Sequence, residues 1–166
     1  MNTLQILKVL EQDRYVKPLL RGVYAIDTLP KCTNGAYVIN TAPSNHPGKH
    51  WVAVFVCNSG VDYFDSYGGE PSSRLKRWWK NRAWSYNPIP LQSPLTSVCG
   101  QYCIFYLFHR VRGITLDEML LDFCSDVDHN DQIVFNFLED RFDIHGLKLI
   151  DTEGLILQLS ASKIKH

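Results

Sequence analysis

The sequence has no surplus of either charge. Seventeen lysines and arginines stand against seventeen aspartates and glutamates, so there is no overall field to draw the chain onto nucleic acid or a membrane surface. It also has no disulfide framework. Its five cysteines, Cys32, Cys57, Cys99, Cys103 and Cys124, are odd in number, widely spread and mostly set in apolar runs, which fits a reducing, intracellular setting. No C-x-x-C pair occurs, and the spacing of Cys99 to Cys103 has no matching Cys/His pair elsewhere, so no metal is expected. No apolar run is long enough to span a bilayer. The first fourteen residues place Leu4, Ile6, Leu7 and Leu10 at helical spacing with charges around them, unlike the unbroken apolar core of a signal peptide. Internal repeats and low-complexity tracts are absent.

What is present is apolar bulk: 45% of 166 residues, enough to bury one sizeable core, so residues 1–166 are expected to form one domain, as a monomer. Residues 3–12 have the period of a short amphipathic helix. Residues 15–30, broken by Pro18, Gly22 and Pro30, read as a connecting loop. Ala36-Tyr-Val-Ile-Asn40 reads as a first strand, and a turn-rich connection then delivers the chain to His50. Trp51-Val-Ala-Val-Phe-Val-Cys57 is almost continuously apolar, as a strand buried on both faces would be. Asn58-Ser-Gly60 signals a hairpin, and residues 61–66 return as its second strand. That return carries Asp65 back towards the start of the outgoing strand, where His50 stands; Asp62 competes for the same role but falls nearer mid-strand.

Residues 71–82 read as a helix capped by serine, with Leu75, Trp78 and Trp79 on one face. Its other face, Arg74, Lys76, Arg77, Lys80 and Arg82, has two readings: a phosphate-binding surface with tryptophans for stacking, or an ordinary solvated face. Residues 83–98, holding Pro88, Pro90 and Pro94, are expected to be extended. Two further amphipathic helices, over 115–124 and 130–141, start near Thr115 and Asp131. The tail from Gly146, with alternating Leu155, Leu157 and Leu159, reads as an edge strand or a docked turn.

The chemistry gathers around Gln92-Ser-Pro-Leu-Thr-Ser-Val-Cys99-Gly-Gln-Tyr-Cys103, a proline-punctuated loop running into an apolar helix. A thiol at a helix start feels unpaired N–H groups and the positive end of the helix dipole, which favour thiolate. Gly100 beside it would let a substrate backbone approach. The Cys99 N–H and the Gln92 amide are candidate oxyanion donors. The competing reading makes Cys99 and Cys103 small core residues on one helix face. Thiol catalysis needs a base at the sulfur, a carboxylate to fix the imidazole and an oxyanion donor; His50, Asp65, Gln92 and Cys99 fill these roles.

Taken together, Asn40-Thr-Ala, His50-Trp51, Tyr63-Phe-Asp65-Ser-Tyr-Gly68, Gln92 seven positions before Cys99, Cys99-Gly-x-x-Cys103 and the segment from Asn130 to Leu138 resemble the adenovirus-type (adenain-like) cysteine proteases, of the same clan as the ubiquitin-like-protein proteases. The resemblance implies an α+β fold: a papain-like cysteine protease core in circularly permuted order, with a central mixed or antiparallel sheet packed by helices. It implies a thiol endopeptidase, without a required cofactor, that matures capsid or precursor proteins of a virus or virus-like element, in the host nucleus or the virion. Trp51 would wall a narrow substrate channel and favour cleavage after glycine or another small residue; otherwise it is a core tryptophan. Adenoviral relatives are stimulated by DNA and by a small viral peptide joined through a cysteine upstream of the glutamine. No cysteine lies between Cys57 and Cys99, so that tether has no anchor here. The carboxylate is Asp where adenoviral enzymes carry Glu. A deubiquitinase or deSUMOylase, a same-clan acyltransferase and a non-catalytic binding module are the alternatives.

Overall fold

The computed structural model describes residues 1–142. The alternation at Leu155, Leu157 and Leu159 lies outside them. The chain opens with α1 (Thr3–Gln12), whose first turn is closed by a reciprocal cap: the Asn2 side chain accepts the Gln5 N–H at 3.0 Å and the Gln5 side chain accepts the Asn2 N–H at 2.8 Å. The helix buries Ile6, Val9 and Leu10, on the order of 5 kcal/mol of hydrophobic stabilisation.

A five-stranded sheet follows, in the order β1 (Leu20–Ala25), β2 (Gly35–Asn40), β3 (Trp51–Cys57), β4 (Gly60–Phe64) and β5 (Trp84–Tyr86). β2, β3 and β4 are antiparallel neighbours, whereas β1 runs parallel to β2 and β5 parallel to β4, so the sheet is mixed. β1 corrects the loop expected over 15–30. It is a half-exposed edge strand without clean alternation, and its register slips at Gly22, whose φ of 136° suits glycine. β2 and β3 are buried on both faces, which is why their sequences read as unbroken apolar runs: Val38 and Ala53 face one core, Tyr37 and Val54 the other.

The first core is covered by α3 (Cys99–Arg110), which has every residue from Gly100 to Phe108 buried and stacks Tyr106 on Phe64 of the sheet at 4.8 Å. α1, α4 (Leu116–Leu120) and α5 (Val127–Arg141) pack around it. α4 starts at the expected Thr115, in a capping box with Glu118. α5 starts earlier than expected because Asp126 caps it, so Asp131 sits a turn inside the helix rather than at its start. The second core is closed by α2 (Ser73–Trp78), which ends short of the anticipated Arg82: Trp79 turns inward, 1% exposed, and Lys80 takes a left-handed φ of 58°.

Candidate active site

β3 and β4 bring a base and a carboxylate to one edge of the sheet. His50 immediately precedes β3 and Asp65 immediately follows β4; in the register that pairs Ala53 with Phe64, the His50 Nε2 lies 2.7 Å from Asp65 Oδ1. Both side chains are nearly buried. The carboxylate is itself fixed. Oδ1 also accepts the Tyr67 backbone N–H at 2.9 Å, and the Asn87 side chain clasps the Asp65 backbone, accepting its N–H at 2.9 Å and donating to its carbonyl at 2.6 Å. With Nε2–H committed to Asp65, the other ring nitrogen, buried Nδ1, is left without a conventional partner and available for proton exchange. Asp62, the rival carboxylate, is engaged elsewhere, accepting from Arg110 Nε at 2.6 Å and Ser85 Oγ at 2.8 Å.

Cys99 is the first residue of α3, and no side chain caps that terminus, so the first-turn N–H groups remain directed at whatever sits beside the sulfur. Burial pushes the thiol towards its neutral form, but the hydrogen bond and charge of His50 and the Trp51 backbone N–H outweigh it, and the pKa is lowered. The imidazole moves the other way. Burial opposes its charge, yet the hydrogen bonds and charges of Asp65 and Cys99 raise its pKa to about 9. The two shifts have one source, the mutual attraction of the Cys99 sulfur and the His50 ring beside Asp65. Cys103 contrasts with it: fully buried, its thiol is pushed well above the usual value by burial first of all.

The sulfur lines a cleft of about 550 Å³ together with His50, Trp51, Tyr67, Thr96 and Ser97. Trp51 stands in the wall, its indole N–H donating to the Met1 carbonyl at 3.0 Å. Gly100 does not reach the cleft, which corrects its expected role against substrate. A Cβ there would lie 3.1 Å from Ile6 Cδ1 and 3.3 Å from Met1 Cβ, so the small residue serves the close packing of α3 on α1. Gln92 is 1% exposed and its amide is occupied: Nε2 donates to the Thr96 carbonyl at 2.8 Å and to the Tyr67 hydroxyl at 3.2 Å, while Oε1 accepts from Ser66 at 2.7 Å.

Several residues of the site escaped the sequence reading. The loop over residues 91–98 is tied to α5: Asp131 accepts from Thr96 Oγ1 at 2.7 Å and from the Tyr102 hydroxyl at 2.9 Å, and Asn130 donates to the Leu91 carbonyl at 3.2 Å. Tyr67 covers the His50 ring at 4.9 Å. In the sequence it stood within the Tyr63-Phe-Asp65-Ser-Tyr-Gly68 match with no role assigned to it; nothing in the sequence connects Asp131 to residue 96.

The basic residues after Pro71 do not form one free face. Lys76 pairs with Glu70 at 2.7 Å and lies over Trp84, and Arg82 donates to Asn34 Oδ1 and the Cys57 carbonyl. Of the tryptophans expected as a stacking surface, Trp79 is buried and Trp78 packs edge-on against Tyr37 with its N–H on the Pro30 carbonyl. Among the described residues no group of three metal-ligating side chains converges.

No protein-family model matches the chain. A cysteine protease from a tick isolate of African swine fever virus from Malawi is 31% identical over 105 residues, covering 54% of this chain and 38% of that protein. The SUMO-1 cysteine protease of a Namibian warthog isolate of the same virus is 28% identical over 113 residues, 58% of this chain and 41% of the relative. Over a little more than half of its length the chain is similar to viral cysteine proteases. It spans about two fifths of the length of those it matches. The crystal structure of the African swine fever virus protease superposes with a TM-score of 0.55 over 78% of this chain and 63% of that one, at 18% identity, so the two share a fold. The mixed sheet packed by helices is therefore that of this protease fold, as the resemblance in sequence implied.

Proposed function

We propose that this chain is a thiol endopeptidase. The observation that carries the reading is the line Cys99, His50, Asp65, in which the thiol is acidified, the imidazole is made more basic and its far nitrogen is 2.7 Å from the carboxylate. The Cys99 thiolate attacks the scissile carbonyl, and the Cys99 backbone N–H meets the oxygen as it gains charge. His50 gives its proton to the departing amine through Nδ1, then draws one from the water that hydrolyses the acyl-enzyme, while Asp65 keeps the ring in place. Trp51 in the cleft wall supports a preference for glycine or another small residue at the cleavage site. Viral or virus-like precursor proteins are the proposed substrates, acted on in a reducing compartment, such as the host nucleus, or in the virion. One domain suffices for this chemistry.

The SUMO-1 protease name of one relative favours a second reading, hydrolysis of conjugates to a ubiquitin-like protein. Stimulation by DNA is the weaker part of the proposal, because Lys76 and Arg82 are already engaged. Purified protein incubated with a peptide library, with and without DNA, should cleave after small residues and lose all cleavage in Cys99→Ala. Ubiquitin and SUMO bearing a C-terminal electrophile should label Cys99 only on the second reading. Cleavage that persists in Cys99→Ala refutes both.

A further inference from the structure

We propose that Lys49 makes the cleft selective for substrates that carry an aspartate or glutamate within a few residues of the scissile bond. The inference rests on the thiol-endopeptidase reading and names the charge of its substrates. Twenty residues line the cleft beside Cys99, and none of them is acidic. Lys49 is the only lysine or arginine among them; it is exposed, and among the described residues its ammonium pairs with no carboxylate. The carboxylates that bond to cleft residues do so from outside the lining and are already engaged. Asp27 accepts the Ser44 N–H at 2.7 Å and its hydroxyl at 2.8 Å, Asp65 holds His50, and Asp131 accepts from Thr96. In a chain with no net charge, this wall is locally positive.

The charge is also held in place. The loop over residues 41–49 is closed at its base, where the Thr41 N–H donates to the His50 carbonyl at 2.8 Å. The buried Asn40 side chain clasps both ends of it, accepting the N–H groups of Ala42 at 2.9 Å and Lys49 at 3.2 Å. A Cβ on Gly48 would lie 3.0 Å from Asn40 Nδ2, so the loop lies tight against its clasp. Asp27 pins it again at Ser44. Lys49 therefore springs from a fixed backbone next to the base, on a wall it shares with Tyr24 and Ala25 at the end of β1. Burial and then His50 govern the pKa of Cys99, burial and then Asp65 that of His50, and Lys49 is not among the chief causes of either. An unpaired cation in a cleft without acids attracts a substrate carboxylate and disfavours a substrate cation, and it discriminates between them without altering the chemical step.

The test starts from a peptide that the full chain cleaves and places glutamate, glutamine or lysine in turn at each flanking position. At one position or more, kcat/KM for the glutamate peptide should exceed that for the glutamine peptide by about 5-fold at low salt, the upper range for an exposed ion pair. That preference should shrink as salt rises to about 1 M. Lys49→Gln should bring the ratio to about 1, Lys49→Glu should invert it in favour of the lysine peptide, and Lys49→Arg should retain it. Each ratio is internal to one variant, so a general loss of fold or activity cancels. A glutamate-to-glutamine ratio within about 1.5-fold of unity at every position in the parent overturns the proposal, as does a preference for glutamate that survives in Lys49→Glu. Failure of the protease reading looks different: no starting peptide is found whose cleavage requires Cys99, and the proposal falls with it.

Discussion

The two halves of the candidate site are held by different kinds of bond. The half on the sheet, His50 and Asp65, inherits its geometry from the β3–β4 ladder and from Asn87, whose side chain is fully buried against the Asp65 backbone. The half on the loop, residues 91–98 leading into Cys99, has no ladder. Apart from the Leu91 and Gln92 N–H groups, which donate to the Ser66 carbonyl at 2.8 and 3.0 Å, it is held by side-chain contacts with residues far away in sequence: Asp131 and Asn130 of α5, Ser66 and Tyr67 after β4. A ladder shares strain among many bonds, whereas a loop fixed by a few contacts can be loosened by deleting one. Stability should therefore reside mainly in the first half, and adjustable reactivity in the second.

The largest effect should come from cutting the first half at its end. Replacing His50 by Gln removes the proton carrier and the partner that acidifies Cys99, and kcat/KM should fall at least about 10³-fold. In the parent enzyme the pair sets the pH range. His50 has a pKa raised from 6.5 to about 9, so its protonated form contributes fully below 6.5 and is lost as pH rises through about 9. Cys99 is lowered from 9.0, so its thiolate contributes fully above 9.0 and is lost as pH falls through the lowered value. The kcat/KM profile should be bell-shaped with its alkaline limb near pH 9, and His50→Gln should abolish that limb. An alkaline limb that survives would remove His50 from the pair.

A matched pair of substitutions then sets the halves against each other. Asn87→Ala unpairs the backbone of Asp65 in a buried place and should cost about 2–3 kcal/mol of stability, read as a lowered denaturant midpoint. Asp131→Ala releases Thr96 and should cost less stability, about 1–2 kcal/mol, because the Tyr102 hydroxyl keeps the Leu91 carbonyl as a second acceptor. Activity should rank them the other way, with kcat falling about 10-fold more in Asp131→Ala than in Asn87→Ala at temperatures where both are folded. If both variants lose stability and activity in the same proportion, the two halves are one cooperative unit and the contrast is false.

The same division explains what could be read from the sequence. β3, its turn at Asn58 and Ser59, and β4 announce themselves by composition, and once the hairpin is folded the approach of His50 and Asp65 follows from the register. Cys99 at a helix start was legible from the proline-rich loop that gives way to an apolar run. β1 was not, because an edge strand that is half exposed and kinked at Gly22 has no period to detect. The fate of Gln92 was hidden for another reason: its partners, Thr96, Tyr67 and Ser66, are polar residues chosen by tertiary position, and no spacing rule selects them. Asp131 illustrates the limit most clearly, since its residue type and place argue for a helix cap while Asp126 performs that task and Asp131 faces the loop.

The smallest expected effect concerns Gly100, which joins the nucleophile's helix to α1. As a substrate contact, glycine there would be needed for catalysis, and Gly100→Ala would raise KM. As a packing residue it answers to Ile6 Cδ1 at 3.1 Å, the end of a flexible side chain, and to Met1 Cβ at 3.3 Å, so the neighbours need yield only a few tenths of an ångström. The backbone does not forbid the change, because the position is helical, and alanine gains helix propensity that offsets part of the overpacking. Gly100→Ala should therefore shift stability by about 1 kcal/mol or less and leave KM for a cleaved peptide within about 2-fold. Gly100→Val cannot be absorbed in the same way: its branched side chain meets Ile6 and Met1 together, and α1 should detach, seen as faster proteolysis near the N-terminus. A large rise in KM for the alanine variant with unchanged stability would return Gly100 to the cleft.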